Sequence, residues 1–157
     1  MRKRLITPGS ESVPKRGGDW LNVERVAVVE VTSEDKNYPI ESAFVPQEAQ
    51  GWRAAGSGSQ TIRLMFDQPQ RLRRICLVFE ENETTRTQEF VMRWSPDVGN
   101  CVKEIVRQQW NFSSPDSVRE VEEYQVELSA VTVLELTINP DIAGGLSRAS
   151  LKNLRLS

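Results

Sequence analysis

A stretch of alternating apolar and polar residues at positions 60–79 constrains the fold more than any other part of the chain. Apolar residues recur at every second position in two runs, residues 60–66 and 72–79, and Asp-Gln-Pro at 67–69 separates them. This alternation is typical of β-strands that bury one face. It predicts two adjacent strands joined by a turn. Their shared inner face is expected to hold Ile62, Leu64, Phe66, Ile75, Leu77 and Phe79.

The rest of the chain contains further segments with the composition of strands. Residues 51–59, with the sequence GWRAAGSGS, predict a tryptophan-centred turn followed by a loop of small residues. Residues 23–32 are rich in valine, which favours a strand. Five more strands are predicted farther along the chain, at residues 86–94, 102–110, 120–128, 131–138 and 149–156.

Eight predicted strands, without a convincing amphipathic helix, limit the fold class. The alternation changes phase between Val133 and Leu134, which predicts a β-bulge there. Turn residues recur at short spacing, and eight antiparallel strands with such turns are typical of a jelly roll. The sequence therefore predicts an all-β fold, an eight-stranded antiparallel jelly-roll β-sandwich.

Several short motifs resemble those of a known family. Trp52 and the small residues after it lead into QTIRLMFDQP and then ICLVF, an order that resembles the discoidin, or coagulation factor V/VIII type C, domains. Arg86 and Phe90, followed by WSPDVG, resemble that family's next strand and turn, and the closing ASLKNLRLS resembles its final strand. The resemblance extends from about residue 23 to the C-terminus and implies a galactose-binding-like jelly roll.

Bulk composition limits both the need for cross-links and the kinds of partner. A chain of 157 residues can bury about 68–70% of its unfolded surface as one domain, so a core needs neither disulfide nor metal. The 20 basic and 22 acidic residues are spread along the chain and give a net charge of −2. We therefore expect neither a nucleic-acid nor a membrane partner, and no segment approaches the ~20 apolar residues that span a bilayer.

The N-terminal residues and the two cysteines bear on location. Residues 1–19 are rich in proline, glycine, serine and charge, which predicts a flexible arm before a domain at residues 20–157. The basic start is not followed by the apolar stretch of a secretion signal, so the expected location is cytoplasmic. Cys76 and Cys101 are then expected to be free thiols rather than a bridge between strands.

The residue types present give little support to enzyme chemistry. The chain has no histidine, which removes the commonest general base and most zinc sites. GSGS at residues 56–59 enters a strand rather than a helix, so it does not predict a phosphate-binding loop. The adjacent pairs Glu80-Glu81 and Glu122-Glu123 are expected on a loop or a strand surface. We expect no catalytic activity and no cofactor.

The resemblance directs attention to loops at one end of the sandwich. In discoidin-like carbohydrate-binding modules, aromatic side chains there stack on sugars, while arginine, asparagine or acidic groups bond the hydroxyls. The candidate ligand-binding residues here are Tyr38, Arg53, Arg86 and Trp110, with Phe112 beside the last. The implied function is a non-catalytic module that binds a carbohydrate or glycan. The alternative is a protein-interaction or assembly module of a cytoplasmic complex.

Structural roles compete with each of these assignments. Trp52 is expected in the core, and Trp110 can equally cap it. Tyr38 can anchor its own loop beside Pro39. The two arginines can instead pair with carboxylates of the neighbouring loop, at Glu80, Glu81 or Glu83.

A metal site is also considered on the strength of the resemblance. Some discoidin-like modules hold calcium in a loop near the start, where this chain has Asp35 and Asn37. One carboxylate beside a lysine provides too few ligands, so no metal is predicted.

Overall fold

A computed structural model of the protein describes residues 20–45, 50–97 and 103–157. The chain begins with one helical turn, α1 (Val23–Val26), and a short 3₁₀ helix, Ile40–Ala43, follows the first strand. The strands are β1 (Ala27–Val31), β2 (Trp52–Ser57), β3 (Gln60–Glu80), β4 (Arg86–Ser95), β5 (Lys103–Phe112), β6 (Arg119–Asn139), β7 (Arg148–Leu151) and β8 (Asn153–Leu156). The predicted all-β class is confirmed, and the pairs between these strands are antiparallel.

Two long strands, β3 and β6, form the centre of the fold. Each has 21 residues, and they pair from Gln60↔Ile138 to Glu80↔Arg119. The predicted hairpin between residues 60–66 and 72–79 is therefore wrong, because both runs belong to one strand. The register shifts between Met65 and Arg74 mark an irregularity where the strand bends and tolerates a proline.

The bulge predicted between Val133 and Leu134 is not at that position, because these residues pair in regular register with Met65 and Leu64. The irregularity of β6 lies just before them, between Gln125 and Val133. Residues 120–128 and 131–138, expected as separate strands, also form one strand. Leu128 pairs with Leu72 and Val131 pairs with Gln70, so β6 has one more residue than β3 between these two pairs. The irregularities of β3 and β6 thus lie opposite each other.

The two halves of the long strands belong to two facing layers. The first half of β3 and the second half of β6 lie in the order β1-β3-β6-β4-β5. The second half of β3 pairs with β8 and the first half of β6, while β2 and β7 form a separate pair. Phe79 of the second layer stacks on Phe90 of the first, with ring centroids 5.2 Å apart. This is the arrangement of a β-sandwich.

The core lies between these layers and contains the residues that the alternation selected. Each of the six predicted inner residues is at most 5% exposed. They belong to one apolar cluster that extends along the chain from Val23 to Leu156. The predicted buried face of β3 is confirmed, although the connection between its two halves is not a turn.

Three boundaries differ from the sequence predictions. The expected strand at 23–32 begins with α1, because the Asn22 side chain accepts a hydrogen bond from the Arg25 N–H at 3.3 Å. Residues 52–57, expected as turn and loop, form β2 and pair with β7. Only Trp52 and Ala54 of this strand are buried. Most of its residues are small, so the sequence shows little contrast between buried and exposed positions. The last expected strand is divided into β7 and β8 at Lys152.

Some predictions concern parts of the chain outside the described ranges. These are the arm at residues 1–19, the turn at residues 98–100 and the state of Cys101. Cys76 is a buried free thiol, and burial beside Glu123 raises its pKa. That both cysteines are free, and with it the cytoplasmic location, stays a prediction. Among the described residues, no helix has the length and apolarity needed to cross a membrane.

Candidate functional site

A cleft of ≈ 370 Å³ opens at one end of the sandwich. It lies where β3 ends, where β2 begins and where β7 passes into β8. Its lining comes from four segments: Tyr38, residues 50–53, residues 80–83 and residues 150–152. This volume is within the range of small-molecule sites, which is roughly 300–1,000 Å³.

The first wall of the cleft places two predicted residues together. The connection between β1 and β2 is held against β2 by backbone bonds from the Asp35 N–H to the Arg53 carbonyl, 2.8 Å, and from the Arg53 N–H to the Tyr38 carbonyl, 3.2 Å. The Arg53 guanidinium carbon lies 5.0 Å from the centroid of the Tyr38 ring. That face of the ring is therefore occupied by Arg53 and is not available to stack on a sugar.

Arg53 points outward because its neighbour in β2 points inward. Successive strand residues face opposite sides, and Trp52 is 1% exposed with its indole N–H donating to the Ser33 carbonyl at 3.0 Å. The assignment of Trp52 to the core is confirmed. Arg53 is exposed and forms no ion pair with any described residue. The predicted alternative, a pairing with Glu80, Glu81 or Glu83, is not what the structure shows.

The second wall is the loop between β3 and β4, and Glu81 organises it. One carboxylate oxygen accepts hydrogen bonds from the Glu83 and Thr84 N–H groups at 3.1 and 3.2 Å. The other accepts from Arg86 Nε at 2.7 Å. Burial acts to raise the pKa of Glu81, but these donors outweigh it and hold the pKa below its ordinary value. Glu81 is thus an ionised anchor of the loop.

Arg86 is buried behind this wall, which corrects the expectation that its side chain faces a ligand. It is 3% exposed, and its Nη1 donates to the Pro140 carbonyl at 2.7 Å. Its guanidinium lies 4.7 Å from the centroid of the Phe112 ring, and Phe112 is itself fully buried. The competing structural role, pairing with an acidic residue of the loop, is the one observed. Arg86 positions Glu81 and does not line the cleft.

A buried polar group continues inward from Arg86. Its Nη1 also donates to Gln88 Oε1 at 3.3 Å, and Gln88 Nε2 donates to Glu120 Oε1 at 3.1 Å. Glu120 is fully buried. Burial, together with the neighbouring carboxylate of Glu122, raises the pKa of Glu120 to about 9, so this side chain is neutral at pH 7. The negative charge that neutralises Arg86 is therefore that of Glu81.

Trp110 also lies away from the cleft. It is half-buried on β5, pairs with Gln88 of β4 and packs against the core. Of the four residues predicted to bind ligand, the structure brings Tyr38 and Arg53 to one cleft and places Arg86 and Trp110 elsewhere.

Several lining residues were not predicted from the sequence. Lys152 Nζ lies 3.6 Å from Glu80 Oε1, and Arg119 Nη1 donates to Glu80 Oε2 at 2.7 Å. Asn82 and Ser150 add an amide and a hydroxyl to the lining. Lys152 lies in what the alternation predicts as an uninterrupted last strand, so no local signal distinguishes it. The polarity of the 80–85 loop is the signal that could have identified Asn82.

The floor of the cleft depends on a close backbone contact at Gly51. Its φ angle is +74°, a conformation that favours glycine. A Cβ atom at this position would lie 2.5 Å from the Leu151 carbonyl oxygen and 2.7 Å from Lys152 Cα. Glycine therefore allows the start of β2 to meet the end of β7, and both segments line the cleft.

The residues considered for calcium have other partners. Asp35 Oδ1 accepts from the Asn37 N–H at 2.9 Å, and its Oδ2 lies 3.4 Å from Arg148 Nη2. Across residues 20–45, 50–97 and 103–157, no three histidine, cysteine, aspartate or glutamate side chains come together as a metal-binding group.

Comparison with solved structures gives the class of the fold. CBM32-3 from a family 31 glycoside hydrolase of Clostridium perfringens superposes with a TM-score of 0.64 at 17% identity, covering 91% of this chain and 98% of that one. The CBM32 of AlyQ, in complex with 4,5-unsaturated mannuronic acid, gives 0.61 at 17% identity, with 84% and 95% covered. The family 32 module of C. perfringens NanJ, in complex with galactose, gives 0.61 at 12% identity, with 83% and 92% covered.

These likenesses establish the fold and confirm the predicted resemblance. The protein has the galactose-binding-like jelly roll of the discoidin domains and of the CBM32 modules. The sequence matches no protein-family model and no curated protein.

Proposed function

We propose that the protein is a non-catalytic module that binds a carbohydrate in the cleft beside Tyr38 and Arg53. The observation that carries this proposal is the exposed Arg53 guanidinium, held over the Tyr38 ring at 5.0 Å inside a cleft of sugar-ligand size. A guanidinium offers five N–H donors in fixed directions, which suits the closely spaced oxygens of a sugar. Asn82 and Ser150 supply further polar groups beside it.

The fold supports a carbohydrate as the kind of ligand. Solved modules of the same fold hold galactose and 4,5-unsaturated mannuronic acid, although their sequence identity to this chain is only 12% and 17%. The cleft lies at one end of the sandwich, the region where the family resemblance predicts the ligand. We therefore place the sugar in this cleft and not on a sheet face.

The carboxylates of the cleft support a binding role rather than catalysis. Glycoside hydrolysis commonly needs one carboxyl group that gives a proton and a second that acts as base or nucleophile. Glu80 is paired with Arg119 and Lys152, and Glu81 is paired with Arg86. The lowered pKa of Glu81 makes it a poor proton donor. Two adjacent carboxylates are thus committed to the protein's own cations.

The protein-interaction alternative has weaker support. A docking surface for another protein usually contains a contiguous apolar patch. In the described part of the chain, the large apolar side chains that are clearly exposed lie on three different segments: Val28 on β1, Val121 on β6, and Ile142 and Leu146 in the β6–β7 connection. No observation among them favours a protein partner over a sugar.

A glycan array followed by titration calorimetry tests this proposal. The protein, an Arg53→Ala variant and an Arg107→Ala control are compared on the same glycans. Arg107 is also exposed, but it lies on β5 outside the cleft and pairs with Glu89 and Glu104. We expect Arg53→Ala to weaken binding about tenfold or more, since charge-assisted hydrogen bonds are worth about 1.5–3 kcal/mol, and Arg107→Ala to change nothing.

The same experiment can reject the proposal in two ways. If a folded protein binds no glycan, the carbohydrate function is wrong. If glycans bind but Arg53→Ala leaves their affinity unchanged, the site lies elsewhere on the molecule. Melting curves of each variant confirm that the comparison is made on folded protein.

A further inference from the structure

The charges that line the cleft are unevenly neutralised. Of the described lining residues, Arg53 and Lys152 are the cations, and Glu80, Glu81 and Glu83 are the carboxylates. Glu80 lies 3.6 Å from Lys152 and also accepts from Arg119, while Glu81 is bonded to Arg86. The charges of these groups neutralise one another. The charge of Arg53 has no such partner among the described residues.

Arg53 is also held in place before any ligand arrives. Its backbone N–H and carbonyl are both bonded to the β1–β2 connection, and its guanidinium lies over the Tyr38 ring. Stacking on the ring restricts the side chain yet uses none of its N–H donors. The planar fork of donors therefore remains available, and its geometry matches the two oxygens of a carboxylate.

We infer that the cleft binds an acidic sugar, and that Arg53 receives the sugar's carboxylate. This inference rests on the proposed function, since it names the class of carbohydrate for the same site. The net charge of the chain is −2, so the field of the whole molecule does not favour an anion. Any preference for a carboxylate must then come from a local cation, and Arg53 is the cation available.

The fold by itself does not decide between neutral and acidic sugars. Modules with this fold hold galactose in one case and 4,5-unsaturated mannuronic acid in another. The inference depends on the side chains of this chain: an exposed guanidinium, stacked on an aromatic ring, in a cleft whose other cation is already paired.

Glu83 provides an internal control for this assignment. It lines the same cleft, is exposed and forms no ion pair with the other described residues. A free carboxylate near the site repels an acidic ligand and leaves a neutral one unaffected by charge. Removing it should therefore strengthen binding of an acidic sugar specifically, whereas removing Arg53 should weaken it.

Calorimetric titration with matched ligands tests the inference. The probes are the trimers of galacturonate and mannuronate, each compared with its fully methyl-esterified form, which keeps the size and loses the charge. Neutral and acidic glycans that bind on the array extend the comparison. The proteins are the full chain and its Arg53→Gln, Arg53→Lys, Glu83→Gln and Arg107→Gln variants, each checked by its melting curve.

We expect at least one uronate trimer or acidic array glycan to bind about tenfold or more tightly than its ester at low salt. Arg53→Gln should weaken binding of the acid more than binding of the ester and so remove this difference, and Arg53→Lys should keep part of it because it retains charge without the fork. Glu83→Gln should increase the difference in affinity between acid and ester, and Arg107→Gln should not change this difference. Added salt should narrow it, since exposed charges are screened over roughly 10 Å at 0.1 M.

Contrary results separate this inference from the proposed function. Equal binding of acids and esters, or binding of neutral glycans alone, overturns the inference and leaves carbohydrate binding intact. A preference for the acid that survives Arg53→Gln overturns the assignment to Arg53. Failure of the folded protein to bind any glycan overturns both.

Discussion

The sequence predicts that Arg53 and Arg86 both bind ligand, and the structure gives them opposite environments. Arg86 is 3% exposed and donates to a carboxylate, a carbonyl and an amide, and its guanidinium also lies over a ring. Arg53 is exposed and contacts one ring. A buried guanidinium must have its donors satisfied by the protein, since an unpaired buried charge is costly. An exposed one can keep them for a ligand.

The two arginines thus separate the tasks of building a cleft and of binding in it. Arg86 holds Glu81, and Glu81 in turn holds the backbone of the loop that forms the second wall. Arg53 projects from the first wall into the cleft. The comparison predicts that changes near Arg86 alter stability, and that changes at Arg53 alter binding.

The largest effect is expected for Arg86→Ala. It leaves Glu81 without its cation and the Pro140 carbonyl without a donor. Removal of one partner from a buried pair costs about 3–5 kcal/mol, and the free energy of unfolding should fall by about that amount in denaturant titrations. A loss below about 1 kcal/mol would contradict the buried role assigned to Arg86.

Gly51→Ala should have the next largest effect, because it changes the floor of the cleft. The new Cβ would meet backbone atoms of Leu151 and Lys152, and the residue would keep a positive φ. Gly58→Ala is the matched control: its φ is +87°, but no atom lies within 4 Å of the new Cβ.

Positive φ alone costs about 1–2 kcal/mol, and overpacking adds about 1–3 kcal/mol. Thermal or denaturant unfolding should therefore show a greater loss for Gly51→Ala than for Gly58→Ala. Equal losses would mean that the contact between the start of β2 and the end of β7 is not tight.

The variant Glu120→Gln tests whether the buried carboxyl group of Glu120 stays protonated, through the pH dependence of stability. The folded protein keeps the Glu120 proton up to about pH 9, while the unfolded chain releases it near 4.5. The native protein therefore binds more protons than the unfolded chain between these values, so its stability falls as pH rises through this range.

An amide in place of the neutral carboxyl group removes this titration. The variant should match the native protein near pH 5 and exceed its stability near pH 9, as measured by unfolding at a series of pH values. If both proteins show the same pH dependence, Glu120 does not keep its proton in the folded state.

The smallest effect on folding is expected for Arg53→Ala. The side chain is exposed, and its contact with Tyr38 is worth about 0.5–1 kcal/mol at such a site. Unfolding curves should shift by no more than this, although ligand affinity falls. A loss as large as that of Arg86→Ala would show that Arg53 is a structural residue as well, and would remove the contrast between the two walls.

Part of the fold could be predicted because alternation is a local property. Every second residue of a strand faces the same side, so the six inner residues of β3 were identified without knowledge of the partner strands. The phase change at Val133 and Leu134 predicted an irregularity in β6, but the register shifts lie before these residues, where β6 pairs with the irregular part of β3. The strand β2 was not predicted, because alanine and glycine give little contrast in hydrophobicity between inner and outer positions.

Part of the site was predicted through the family resemblance and part was not. Tyr38 and Arg53 were assigned to a loop end and do line one cleft. Arg86 was assigned to the same place because it follows a polar loop, but residues distant in sequence bury it. Lys152 gave no local sign of its position, since its contact with Glu80 joins the β7–β8 junction to the end of β3.

The sequence by itself determined which side chains enter the core, that strands dominate, and that no histidine is available for catalysis. Tertiary structure decided whether residues 67–69 reverse the chain or bend it, because β6 pairs with β3 on both sides of that point. It also decided which arginine remains exposed. The Pro140 carbonyl and the Phe112 ring enclose Arg86, whereas Arg53 stays exposed with its guanidinium over the Tyr38 ring. Burial depends on groups that the fold brings together from distant positions in the chain, so a local sequence pattern does not predict it.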